Sequence, residues 1–164
     1  MAAPVPKLVE PTQVLPQAQW SGILIETALE VFSIMVGVSV QVTNGSASPM
    51  AVTAVVGLGG AIRANFILQC SSPCATQIAA QMMGIPPDSP DSQQAACDAL
   101  GEVSNIIAGY FKAKVGLGEA CMLSVPTIIT GRDYQFRSPR TYDRLEQHLL
   151  YDKERLVATL EIAK

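Results

Sequence analysis

The chain has 164 residues, 49% of them hydrophobic and 15% charged, with a formal net charge of −3 and a pI near 5.1. That length suits one domain, or one domain with a tail, and that composition excludes an intrinsically disordered chain. No basic patch dominates, which argues against nucleic acid as the main partner.

The segment 1–18 carries Pro4, Pro6, Pro11 and Pro16 with little periodicity and reads as an extended arm, leaving 19–164 as the folded domain. The arm lacks the basic stretch and apolar core of a secretory signal. The longest apolar run, Val31 to Val40, is broken by Ser33, Gly37 and Ser39. It is shorter than the roughly 20 residues of a membrane span. A soluble, cytoplasmic protein with no membrane span is expected.

Residues 20–36 predict a first helix, and Asn44-Gly45 marks a turn inside the loop 43–49. Met50 to Leu58 and Ala61 to Gln69 read as two strands joined at Gly59-Gly60. Ser72 to Met83 predicts a short helix stopped by Gly84 and Pro86-Pro87. Ser89 as N-cap and Pro90 at the first position open a long helix reaching about Val115, with Gly116 and Gly118 beyond it. Cys121 to Thr130 reads as one strand. Residues 131–142 are irregular and carry Arg132, Arg137 and Arg140. Arg144 to Leu150 and Arg155 to Ile162 form a terminal hairpin around Asp152-Lys153. Its last strand alternates Leu156, Ala158, Leu160 and Ile162 with Arg155, Val157, Thr159 and Glu161, a half-buried pattern.

Cys70, Cys74, Cys97 and Cys121 have neither zinc-type nor redox spacing and read as buried thiols. The single histidine, His148, comes with no nucleophile-elbow motif and is placed on a strand facing solvent or a partner strand.

A single constant offset, with no gap, lays Leu29–Gly37 over Gly101–Gly109 and Met50–Gly59 over Met122–Gly131, with six identities. Each copy reads helix, loop, strand, which points to an internal repeat. The copies differ where chemistry would lie. The second has Asp98, Glu102 and Asn105 where the first has Glu26, Glu30 and Ser33, and Pro126 where the first has Ala54.

In D-A-L-G-E-V-S-N, residues 98–105, helical geometry gathers Asp98, Glu102 and Asn105 into a stripe roughly 60° wide. Ala96, Leu100, Val103, Ile107, Tyr110 and Phe111 form the expected core face. A solvated face needs only polar residues, and two features exceed that need. Gly101 and Gly109 flank the stripe at about 1 kcal/mol each against Ala. Asparagine is also a poor interior helix residue. Small neighbours leave a low surface that another backbone can approach.

Asp98, Glu102, Asn105 and Pro126 resemble the signature of the CheC/CheX/FliY family of chemotaxis phosphatases. That signature is Asp or Ser, three residues, Glu, two residues, Asn, then a longer interval to Pro. The interval from Asn105 to Pro126 is close to the family spacing, and L-S-V-P-T-I-I-T-G (123–131) resembles the CheX strand after the signature helix. One intact site beside one degenerate copy is more like CheX than CheC. The arm and the segment 132–140 are not part of the family pattern.

The resemblance implies an α/β (α+β) fold, CheC/CheX-like, with two long helices packed on antiparallel sheet. It implies a phosphatase acting on the aspartyl phosphate of a CheY-like receiver domain in two-component signalling. Asn105 would orient the attacking water and Glu102 would pair with the receiver's active-site lysine. Asp98 and Pro126 would support them. No cofactor of its own is implied, the Mg²⁺ being held by the receiver. A homodimer is implied, with the terminal hairpin and 132–142 as candidate interfaces. Another reading is a non-catalytic CheX-like module that binds a receiver without dephosphorylating it. A metal hydrolase is disfavoured by the single histidine.

Overall fold

A computed structural model describes residues 13–45, 49–132, 134, 136 and 141–164. Most of the expected proline-rich arm (residues 1–12) and two of the three arginines of the irregular segment, Arg137 and Arg140, lie outside the described residues.

Helix α1 (Trp20–Val31) continues through a π turn, Phe32–Val36, and stops at Gly37, whose φ of 74° is left-handed. With the turn before it, the stretch Gln17–Val36 is long and apolar enough, at mean hydropathy 1.2, to cross a membrane by length and composition. In the fold one side of it is core: Trp20, Leu24, Ala28, Val31, Phe32 and Val36 are buried. Helix α2 (Ser72–Met83) starts where Ser71 Oγ accepts the Cys74 N–H at 3.2 Å and ends at left-handed Gly84. Helix α3 (Pro90–Lys114) starts with Ser89 Oγ accepting the Asp91 N–H, as its sequence predicts. It buries Ala96, Leu100, Val103, Ile107 and Phe111. Phe111 meets Trp20 edge-on, with ring centroids 5.6 Å apart, and so ties α3 to α1.

The strands are β1 (Gln41–Val42), β2 (Val52–Gly60), β3 (Ala64–Cys70), β4 (Cys121–Leu123), β5 (Thr127–Thr130), β6 (Tyr142–Tyr151) and β7 (Glu154–Ala163). They form one antiparallel sheet in the order β1-β6-β7-β3-β2-β4, with β5 also paired to β2. The helices pack on one face of it, against Ala54, Val56, Leu58, Phe66, Leu68, Leu156, Ala158 and Leu160. Two long helices on antiparallel sheet is the expected architecture. The repeat is visible in the pairing. Val55 and Thr127, which hold equivalent positions in the two copies, sit directly opposite each other across the β2–β5 ladder.

Cys97, expected as a buried thiol, is only half-buried, and four expectations about the elements need correction. The Gly59-Gly60 pair does not turn the first hairpin. β2 runs through Gly60, and the chain turns at residues 61–63. The reason is a close approach: a Cβ on Gly60 would lie 2.4 Å from the Ala120 carbonyl oxygen. Second, β7 is not half-buried, because Val157, Thr159 and Glu161 are covered as well as the helix-facing residues. Third, Tyr110 is 43% exposed rather than core. It lies two turns beyond Glu102 on the same row of the helix, so it belongs to the polar side. Fourth, Cys121–Thr130 is not one strand but two, interrupted at 124–126.

Candidate functional site

Asp98 and Glu102 are exposed on α3 and Asn105 is half-buried. Among the described residues none of the three side chains enters a hydrogen bond or an ion pair. The first copy of the repeat is different. There Glu26 and Glu30 both hold Lys114, at 3.0 and 2.5 Å, clamping α1 to the end of α3. Glu30, foremost, and then Glu26 hold the Lys114 ammonium above its ordinary pKa. Ser33, the counterpart of Asn105, lies in the π turn, where the helix register has changed. One copy's acids are bonded to another helix of the chain, and the other's have no such partner among the described residues.

The flanking glycines have a definite occupant. A Cβ on Gly101 would lie 3.2 Å from Ile128 Cδ1 and 3.6 Å from Pro126 Cβ, and one on Gly109 would lie 3.8 Å from Leu123 Cδ1. The small residues predict room for another backbone; what fills the space is instead side chains of this chain's own edge strand, packed along the side of the helix. Pro126 is half-buried on Gly101. Lys112 Nζ reaches the Cys121 carbonyl at 2.7 Å and fastens the other end of the seam.

Asn105 occupies the same helical row as Gly101 and Gly109, one turn from each, so it projects over the strand between Leu123 and Pro126. There the strand is bulged. Leu58 pairs with Leu123 and Val55 with Thr127, so two residues of β2 face three of the edge strand. Ser124 and Val125 are parts of the site that helical spacing does not reach. The available signal is Pro126, since a proline inside a strand-like run marks an edge or a bulge.

Beyond the other end of the stripe the seam opens into a groove of about 830 Å³ lined by Ser72, Gln77, Asp88, Cys97, Thr130 and Arg132. Among the described residues no three His, Cys, Asp or Glu side chains group as metal ligands. His148 lies on β6, with Nε2 3.0 Å from Glu146, away from this stripe.

The family model described as chemotaxis phosphatase CheX matches residues 52–150, which contain α3, the edge strand and the stripe. The chain belongs to the CheX family. Among solved structures it is similar to CheX from Desulfovibrio desulfuricans, at 21% identity over 88% of this chain and 99% of that one, with a TM-score of 0.73. CheX from Vibrio vulnificus is similar at 17% identity over 90% and 97%, with a TM-score of 0.74. The CheX of a CheX–CheY–BeF3–Mg complex from Borrelia burgdorferi is similar at 19% identity over 88% and 98%, with a TM-score of 0.72. No curated protein sequence matches the chain.

Proposed function

We propose that this CheX-family chain hydrolyses the aspartyl phosphate of a CheY-like receiver domain in the cytoplasm, with residues 19–164 as the phosphatase domain. Asn105 is the catalytic residue. Its carboxamide offers an acceptor and two donors, enough to hold a water and a phosphoryl oxygen together. Fixing a water in line for attack removes much of the barrier without a nucleophile or metal from this chain. Glu102, one turn earlier, pairs with the lysine of the receiver's site, and Asp98 and Pro126 support it. The receiver supplies the Mg²⁺ that neutralises phosphoryl charge.

The observation that carries this reading is the contrast between the two copies. Asp98, Glu102 and Asn105 are left without internal partners among the described residues, while Glu26 and Glu30 are tied to Lys114. The similar Borrelia protein was solved with CheY, BeF3 and Mg, which makes a receiver the partner to try first.

The test is decay of a labelled phosphoreceiver with and without the full chain. The wild type should accelerate decay, and Asn105→Ala should abolish the acceleration while circular dichroism stays unchanged. Binding without acceleration by the wild type would replace this reading with that of a non-catalytic receiver-binding module.

A homodimer is part of the same proposal. β6 pairs with β1 at Leu149 and Leu150, and the Thr43 N–H adds a bond to the His148 carbonyl, so the outer edge of β6 from Tyr142 to Gln147 has no strand partner among the described residues. Such an edge can extend into a second copy. A monomer in light scattering would remove it.

A further inference from the structure

Along a regular strand, side chains alternate between faces. Counting from Leu123, which faces the helix at Gly109, regular alternation would turn Val125 and Thr127 toward α3. The observed helix-facing set is Leu123, Pro126 and Ile128. Thr127 instead pairs with Val55, and Val125 is 85% exposed. The extra residue of the bulge makes the shift. It removes a valine from the place over which Asn105 projects.

Ser124 holds that bulge. Its N–H donates to the Gly57 carbonyl at 2.9 Å. Its Oγ accepts the Gly57 N–H at 2.8 Å and donates to the Val125 carbonyl at 3.0 Å. The hydroxyl thus stands where a backbone carbonyl would complete the ladder, and it pins the displaced Val125 peptide at the same time. A hydroxyl can do both at once, and an alanine neither. Pro126 next to it has no N–H to draw the chain back into register.

We propose that Ser124 is a positioning residue for Asn105: it locks the β4–β5 bulge and thereby keeps Val125 off the helix, leaving the Asn105 carboxamide free to reach a phosphoryl group. The inference rests on the phosphatase reading of the α3 stripe. Without the lock the Val125 peptide loses its tether to the Ser124 hydroxyl while β5 keeps its register. The valine side chain then swings against Asn105 and restricts its rotamers. Rate suffers more than docking, because the carboxamide is misoriented while the docking face stays in place.

The test uses the full chain with Ser124→Ala, Ser124→Thr and, from the opposite strand, Gly57→Ala. A Cβ on Gly57 would press on Ser124 Oγ at 3.3 Å and disturb the same lock without touching Ser124's own chemistry. Steady-state phosphoreceiver hydrolysis should show Ser124→Ala losing about tenfold in kcat with KM within about twofold. Threonine should restore kcat, and Gly57→Ala should fall in the same direction as Ser124→Ala.

The side-chain amide resonance of Asn105, assigned by its disappearance in Asn105→Ala, should shift in Ser124→Ala and not in Ser124→Thr. A raised KM at constant kcat would make this segment a docking edge only and overturn the proposal, as would an unchanged kcat with an unshifted amide. If the wild type fails to accelerate decay, the phosphatase reading falls. The amide resonance still decides whether Ser124 sets Asn105. If Ser124→Ala does not fold, Gly57→Ala decides, with retained kcat overturning the proposal.

Discussion

Gly101 and Gly109 sit in the same row of the same helix and invite the same substitution, yet the structure assigns them different responses. Replacing a mid-helix glycine by alanine is worth about 1 kcal/mol in backbone entropy. At Gly109 the new methyl would meet Leu123 Cδ1 at 3.8 Å, an ordinary contact, so the full gain should appear. In a chain of this length that raises Tm by about 2–4 °C. At Gly101 the methyl would meet Ile128 Cδ1 at 3.2 Å, so the half-buried isoleucine must give way and the gain shrinks toward zero. Ile128→Val removes the offending Cδ1 at a cost of about 0.5–1.5 kcal/mol. In that background Gly101→Ala should recover the full stabilisation. A double-mutant cycle by urea denaturation reads the difference as a coupling energy of about 1 kcal/mol between positions 101 and 128. Equal stabilisation by both alanines in the wild-type background would refute the close packing of β5 on α3.

The other expectations concern the two copies of the repeat. Lys114→Met should cost no more than about 1 kcal/mol in urea denaturation, since the clamp on Glu26 and Glu30 lies near the surface. Its pH dependence has a definite sign. The Lys114 pKa is raised in the folded chain, foremost by Glu30, so the contribution is complete below the unfolded lysine pKa and is lost as pH rises through the folded value. Wild type and Lys114→Met should therefore converge in Tm at strongly alkaline pH, and a gap that persists there would count against the clamp. Glu102→Ala should raise KM for the phosphoreceiver more than it lowers kcat, whereas the reverse pattern would give Glu102 a part in the chemical step. Ser33→Ala should leave hydrolysis unchanged, and a large loss would mean that the first copy is active.

Much of the fold is legible because the helices announce their own ends. Ser89-Pro90 and Gly84 act where capping chemistry places them. The stripe is legible because helical spacing alone brings Asp98, Glu102 and Asn105 together. What is not legible depends on neighbours distant in sequence. Gly60 reads as a turn residue until the Ala120 carbonyl is beside it. Val157, Thr159 and Glu161 read as a solvent face until their cover is in place. The bulge depends on Gly57 supplying both partners of Ser124. The glycines of α3 do mark a place of close approach, but the chain that approaches is its own.

The same topology explains why only one copy of the repeat keeps the stripe. In the first copy the strand is β2, paired along its length with β3 on one side and with β4 and β5 on the other. A proline at Ala54 would lack the N–H for a ladder whose two sides are both occupied, and a bulge there would disturb both neighbours. In the second copy the strand is at the edge, and Pro126 and the extra residue disturb a single ladder. The edge copy can therefore turn Val125 outward beside Asn105. The central strand has no such freedom at Ala54, where both ladders are occupied. The acids of that copy serve instead to grip Lys114, holding the α1 helix against the α3 helix that carries the stripe. A duplicated unit that shares one sheet is in this way driven to asymmetry, because only one of its two strands can lie at the edge.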